Sequence, residues 1–484
     1  MNCMIQTKIV ATLGPATDSD EMIRALLDAG VNVFRLNFSH GKIEQHAASL
    51  ARIRRVCETT GSLAAVLGDL CGPKIRLDNV ENDAVLLVDG QLVDIVGGHV
   101  VGNAQRISTN RPELIGEVGV GHRILIDDGE IRLRLEGVDA HRLICRVEVG
   151  GTIRTRKGVN LPDSKLKMSA MTDKDRADLA WAIENKLDYV ALSFVRSAAD
   201  LRELLDLLPL AGCEIRTVAK IETPAAIGHI DEIIETADVI MVARGDLGVE
   251  MDVAQVPMLQ KRIVRKCQTA GKPVIVATQM LQSMVESPTP TRAEVSDVAN
   301  AILDGGDAVM LSAETSVGAH AIEAVRMMVR IARETEADMR SRNELARVDA
   351  TRTLRRITTA VAHGASLLTR ELDAHLVAVW TDTGNTARLL SKTRLNVPVL
   401  GLSPDAHVCR RMSMYYGIIP TLATRHERIL QMLKEVDDLL IRRQLAKPGD
   451  LIVVIAGTRL EQEGATNALL MHLVGGADSA PAFA

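Results

Sequence analysis

Eight short β-branched runs alternate with helical stretches along this chain, and that alternation limits the fold more than any other feature. The runs are KIVATLG, VNVFRLNF, LAAVLGD, YVALSFV, EIRTVAKIE, VIMVARGD, PVIVATQM and AVMLSAE. Between them lie segments of helical period such as Asp173 to Asn185, Met258 to Ala270 and Arg292 to Asp304. In the last of these, Val295, Val298, Ala299 and Ile302 share one face. Strands that alternate with helices pair in parallel. Eight such units predict an α/β fold built on a closed (β/α)8 TIM barrel rather than an open sheet.

The alternation breaks once, between the third and fourth runs. Residues 71–167 hold 13 of the 35 glycines and period-2 stretches such as ILIDDGEIRLRLEG, which predicts β-hairpins in an inserted β-barrel lid domain. Without that insertion, residues 1–70 and 168–345 come to roughly 250 residues, the usual size of such a barrel. An insertion after the third strand leaves the barrel at its C-terminal face, where it can cover a site. Residues 346–484 again alternate helix and strand (LVAVW, VPVLGLS, DLIVVIAG), which predicts a C-terminal open α/β-sheet domain.

Composition excludes several roles. Two Trp, three Tyr and four Phe are too few to build base-stacking platforms, and a net charge of −5 disfavours a general polyanion binder, so no nucleic-acid partner is expected. No apolar run approaches the ~18 residues needed to cross a bilayer, so no membrane partner is expected. The seven cysteines are scattered without metal-binding spacing, and no apolar leader follows the first residues. The expectation is reduced thiols in a cytoplasmic protein.

Polar residues gather where the predicted strands end, which in a barrel brings them to one mouth. They are Arg35, Asn37, Ser39 and His40 after the second strand and Asp69 after the third. Lys220 and Glu222 follow the fifth, Arg244 and Asp246 the sixth, Thr278 and Gln279 the seventh, and Ser312 and Glu314 the eighth. Lys220 and Glu222 stand two apart on a strand and so share a face. Glu222 with Asp246 would give two hard oxygen ligands for Mg2+, with Lys220 as an adjacent positive charge; a plain Lys220–Glu222 salt bridge is the alternative. In ARGDLG, the amides around Gly245 and Asp246 can open a short helix suited to an anion.

Seven segments carry a resemblance to a known family. TKIVATLGPAT, NVFRLNFSHG, GDLCGPKIR, AKIE, VARGDLGVE, ATQML and PTRAEVSDVANAILDGGDAVMLSAET stand in the order and spacing of the pyruvate kinases, and the sequence resembles that family. The resemblance implies phosphoryl transfer from phosphoenolpyruvate to ADP, giving ATP and pyruvate, with Mg2+ or Mn2+ as cofactor, and a homotetramer. It implies that Glu222 and Asp246 hold the divalent metal and that Lys220 and Arg35 stabilise the phosphoryl group. Gly245, Asp246 and Thr278 would bind the substrate carboxylate, and Thr278 and Ser312 would lie near the enolate carbon. Arg76, His40 and Lys174 would face the nucleotide, and Asn37, Ser39 and Asp69 would match a monovalent-cation site.

The sequence departs from the family at that last site. GPKIR carries Lys74 where potassium-dependent members have Glu, and Leu70 and Cys71 replace Thr and Lys. A lysine ammonium is a tethered monovalent cation, so K+ is expected not to be required. TDTGNTARLLSK resembles the family's effector loop, with Thr381, Thr383, Gly384, Asn385 and Thr386 as contacts for a phosphorylated small molecule and GTRLEQEGATN as its closing loop. Two other readings stay open at this level. One is a Mg2+-dependent lyase or aldolase acting on a pyruvate enolate, against which Arg35 and Arg76 argue. The other is a non-catalytic sensor, against which the intact Lys220, Glu222, Asp246 and Thr278 argue.

Overall fold

The computed structural model describes residues 5–139, 141–164, 169–208, 214–342, 356–457 and 466–476. Eight parallel strands close into a barrel: Lys8–Thr12, Val33–Asn37, Ala65–Asp69, Tyr189–Leu192, Arg216–Ile221, Val239–Ala243, Val274–Ala277 and Ala308–Leu311. Each pairs with its neighbours in chain order and the eighth returns to the first, with Lys8 opposite Ala308. The strands are buried on both faces, as parallel strands wrapped by helices must be. Their outer sides pack aliphatic helix stripes such as Val298, Ala301 and Ile302 of Arg292–Leu303. An aliphatic barrel core explains why so few rings suffice.

The helices start where local chemistry tells them to. Asp173–Glu184 and Arg292–Leu303 open with capping boxes, Thr172 with Asp175 and Thr291 with Glu294, each satisfying free amides of the first turn. Both agree with the helical spacing in the sequence.

The insertion forms a seven-stranded sheet running from Ile75–Arg76 through Gly158–Asn160, Arg123–Ile126, Ile131–Asp139, Arg142–Val149 and Leu92–Val96 to Arg106–Ser108. A bridge between Leu77 and Thr109, with the Asp78 amide on the Ser108 carbonyl, joins its two edges, so the sheet curls into the small barrel that the hairpin pattern suggests. Its core is separate and aliphatic, built on residues such as Ile124, Leu133 and Cys145.

After the long helix Ala321–Arg342, the C-terminal domain is a five-stranded sheet. Its strands Leu376–Trp380, Val399–Ser403, Ile418–Leu422 and Leu451–Gly457 are parallel, and Thr466–Leu473 is an antiparallel edge. This sheet packs under the N-terminal end of the barrel through polar contacts that are themselves buried. Lys392 pairs with Asp307 at 2.6 Å, Tyr189 donates to the Arg411 carbonyl, and Lys8 donates to the Ile418 carbonyl. Among the described residues, no helix is long and apolar enough to cross a membrane.

Candidate active site

Four of the expected residues meet in one buried chain of charge at the C-terminal mouth of the barrel. Arg35 grips Asp69 with Nε at 2.7 Å and Nη2 at 2.7 Å, and its Nη1 donates to Thr12 Oγ1. Lys220 lies 3.4 Å from the other Asp69 oxygen and 2.9 Å from Glu222 Oε1, and donates to Ser193 Oγ at 2.8 Å. The salt bridge raised as an alternative for Lys220 and Glu222 therefore exists, but as one link of a larger cluster. Asp69 Oδ1 accepts no hydrogen bond, although it is buried.

The electrostatics follow from this geometry. Burial works against the Lys220 ammonium, yet the charges of Asp69 and Glu222 outweigh it and hold the group charged well above the usual lysine range. Burial pushes Asp69 upward, but Lys220 and Arg35 win and keep it below its ordinary value. For Glu222 burial dominates: its carboxyl is raised despite Lys220, and the neighbouring charge of Asp246 raises it further. A buried carboxylate with a second, half-buried one beside it is a place where a cation is favourable. Among the described residues, no group of three or more His, Cys, Asp or Glu could hold a metal; an ion such as Mg2+ needs only one or two carboxylates and leaves its other positions to substrate and water.

Glu222 stands one residue past the end of its strand, and its second oxygen accepts the Phe194 amide at 2.7 Å. Phe194 adopts φ of 55°, a left-handed conformation uncommon for an aromatic residue, which the surrounding site must hold in place. Ser193 and Phe194 close the fourth strand and belong to the site, although neither carries a charge that would single it out in the sequence. A small hydroxyl at a barrel strand end was the available signal.

The sixth and seventh strands bring the next group. Arg244–Glu250 is a seven-residue helix directly after the strand, placing Asp246 in its first turn. The Gly245 amide, expected free for an anion, donates instead to Thr278 Oγ1 at 2.6 Å, and that hydroxyl donates to the Ala277 carbonyl. Thr278 and Gln279 both have positive φ, 68° and 54°, so the backbone is strained where these groups meet. Arg244 turns away from the mouth, pairing with Asp297 and donating to the Thr278 carbonyl, which makes it a support for that turn. Ser312 is buried with its hydroxyl unpartnered, while Glu314 accepts the Ser312 and Leu281 amides and is structural.

The nucleotide-side expectations divide. His40 is held below the usual histidine range, first by burial and then by the positive charges of Arg76, Arg35 and Lys74. Arg76 sits at the lid root, with Nη1 on the Arg156 carbonyl. Lys174 is occupied by the Phe38 carbonyl and Asp178, which fixes it beside the same turn. Asn37 accepts the Ser39 amide and pairs in register with Asp69. Lys74 does not join Asp69, whose facing cations are Arg35 and Lys220; it lines a cleft of about 460 Å³ between lid and barrel, with Phe194, Pro224 and Glu250.

The effector loop is closed on itself. Thr381 Oγ1 accepts the Gly384 amide, Asn385 donates to Thr383, and Gly384 at φ 79° opens the helix Asn385–Ser391. Thr386 meets Thr466, which brings the end of the closing loop against it; positions 458–465 of that loop lie outside the described residues.

Comparison with known proteins gives the chain's relatives. A family profile described as "Pyruvate kinase, barrel domain" matches residues 4–325, and one described as "Pyruvate kinase, alpha/beta domain" matches residues 359–472. The chain is 42% identical over 473 residues to a pyruvate kinase of Geobacillus stearothermophilus, covering 97% of this chain and 80% of that one. It is 40% identical over 468 residues to a pyruvate kinase of Mycobacterium intracellulare, covering 97% and 98%. A crystal structure of a pyruvate kinase from Cryptosporidium parvum superposes with a TM-score of 0.89 at 32% identity, covering 97% of this chain and 96% of that one.

Proposed function

Because the chain belongs to the pyruvate kinase family, we propose that its buried Arg35–Asp69–Lys220–Glu222 cluster is the phosphoryl-transfer centre of this phosphotransferase. Membership sets aside the lyase and sensor alternatives. The family generally uses Mg2+ and K+ and binds phosphoenolpyruvate and ADP or ATP. The observation that carries the residue assignment is the convergence of two cations and two carboxylates, from three strand ends, in one largely buried cluster.

In the reaction, the bond from phosphorus to the enol oxygen breaks as a bond to a terminal phosphate oxygen of ADP forms, and the enolate carbon then takes a proton to give pyruvate. Little covalent work falls to the protein, so positioning and charge neutralisation dominate. Arg35 and Lys220 lie side by side and face the transferring group, neutralising its equatorial oxygens in a low-dielectric pocket. Glu222 and Asp246 would hold Mg2+, or Mn2+, which would supply further positive charge to the phosphoryl oxygens. Gly245, Asp246 and Thr278 form the carboxylate end, with the Thr278 hydroxyl exchanging its present bond from the Gly245 amide for the substrate. The unpartnered Ser312 hydroxyl is free to relay a proton near the enolate carbon. Arg76, His40 and Lys174 line the approach for the nucleotide, and the lid, closing over the cleft, excludes water that would waste the phosphoryl group.

Three further assignments belong to the same proposal. K+ is not required: Arg35 and Lys220 already neutralise Asp69, while Lys74 adds a tethered positive charge at the lid root. Thr381, Thr383, Gly384, Asn385 and Thr386 form a phosphate-binding turn for a regulatory ligand. The enzyme works in the cytoplasm as a homotetramer, and Val253 and Met258, before and at the start of the barrel helix Val256–Thr269, are exposed apolar side chains available to a subunit contact.

Coupled detection of pyruvate and ATP from phosphoenolpyruvate and ADP tests the centre. Lys220→Met is expected to lower kcat by about 10²–10³-fold, as loss of one preorganised electrostatic group does. Unchanged turnover in that variant would refute the assignment.

A further inference from the structure

One hydrogen bond ties the lid to the helix that carries Asp246. Asn160 ends the lid strand Gly158–Asn160 and donates from Nδ2 to Glu250 Oε1 at 2.6 Å. That strand pairs with Ile75–Arg76 at the lid root and with Arg123–Ile126, so the Asn160 amide is held by the lid sheet rather than by a loose loop. Glu250 is the last residue of the helix Arg244–Glu250, and only 9% of it is exposed. A second lid element meets the same helix end: the hairpin tip at Gly129 lies against Val249. The helix is two turns long. Its C-terminal end touches the lid, and its N-terminal end carries Gly245, on Thr278, and Asp246, beside Glu222.

We propose that Asn160 and Glu250 are positioning residues forming a lid latch, whose hydrogen bond sets the Arg244–Glu250 helix and thereby the aim of Asp246 and Gly245. The inference rests on the site assignment above, and it adds the means by which lid closure reaches the metal and carboxylate end. A rigid helix this short cannot shift at one end without moving the other. Burial first, and then the like charges of Asp246 and Glu222, disfavour the Glu250 carboxylate, and the Asn160 donor, with Arg123, offsets them.

Exchanging donor and acceptor tests the latch without changing its size. Asn160→Asp sets a carboxylate against Glu250 and is expected to lower kcat/KM for phosphoenolpyruvate more than fivefold. It should also raise amide hydrogen exchange more than fivefold in a peptide spanning residues 244–250. In the double variant Asn160→Asp with Glu250→Gln, the glutamine amide donates to the new aspartate, the net charge is that of the wild type, and both readouts should return to within threefold of it. A smaller effect of Asn160→Asp on either readout, or a double variant no better than that single one, overturns the latch. Should Asn160→Asp not fold, Asn160→Leu removes the donor at similar size and carries the same thresholds. Hydrogen exchange is read without turnover, so failure of the latch is distinguishable from failure of the Lys220 assignment.

Discussion

Removing one partner of the buried pair between barrel and C-terminal domain should be far more damaging than removing both. Lys392 and Asp307 are each fully buried, with Nζ to Oδ2 at 2.6 Å. Lys392 ends the helix that follows the effector loop, and Asp307 precedes the eighth barrel strand while accepting the Val274 amide at the head of the seventh. Burial, only partly offset by Asp307, already lowers the Lys392 ammonium to about 8. Lys392→Met leaves a buried carboxylate without its partner, a change that typically costs about 3–5 kcal/mol. The Val274 amide remains, and Arg394 stands 3.8 Å from the other oxygen, so the low end, about 3 kcal/mol, is expected. Adding Asp307→Asn removes the stranded charge and keeps an acceptor for Val274, which should bring the loss to about 1 kcal/mol. Urea unfolding followed by tryptophan fluorescence reads this, because Trp380 lies in the C-terminal sheet and Trp181 on the barrel. A single variant within 1 kcal/mol of wild type, or a double variant as unstable as the single, would refute the reasoning.

Turnover in a tetramethylammonium buffer should be the same with or without added K+; strong activation by K+ would count against Lys74 as the resident cation. Lys8, buried on the Ile418 carbonyl, is lowered to about 8, chiefly by burial. Its cost to stability is therefore present below pH 8 and relieved as pH rises from 8 toward 10.5, so wild type should gain on Lys8→Met by up to about 3 kcal/mol over that window. Equal pH dependence of the two unfolding midpoints would show that reasoning wrong. In a thermal-shift panel of phosphorylated small molecules, the shift given by the wild type should be lost in Thr381→Ala, which also unties the Gly384 amide; identical shifts would remove the site from this loop.

Much of the barrel was legible because each strand carries its own apolar run and each helix its cap, as Thr291 with Glu294 illustrates. The site was legible for the same reason: strand ends meet in a barrel whatever their separation in sequence. What stayed hidden was connectivity among side chains. No spacing rule says that Asp69 would be shared by Arg35 and Lys220, since that depends on which of several cations reaches across the mouth. Lys74 was expected near Asp69 and instead lines the cleft between lid and barrel. Ser193 and Phe194 escaped notice because they contribute a hydroxyl and an amide rather than a charge. Asn160 and Glu250 lie 90 residues apart on different domains, and nothing local in either segment announces the other.

The sharing of Asp69 has a bearing on how a polyanion enters. Arg35 and Lys220 are not idle while the site waits; each already has a counter-ion of the right sign at the right distance. On the proposed assignment, arrival of a phosphate is an exchange of partners more than an addition of charge, with Asp69 and Glu222 acting as placeholders that hold both cations in position. Affinity in such a site is the difference between two good ion pairs, so it can be moderate although each contact is strong. The return of Asp69 to its cations when product leaves works in favour of release.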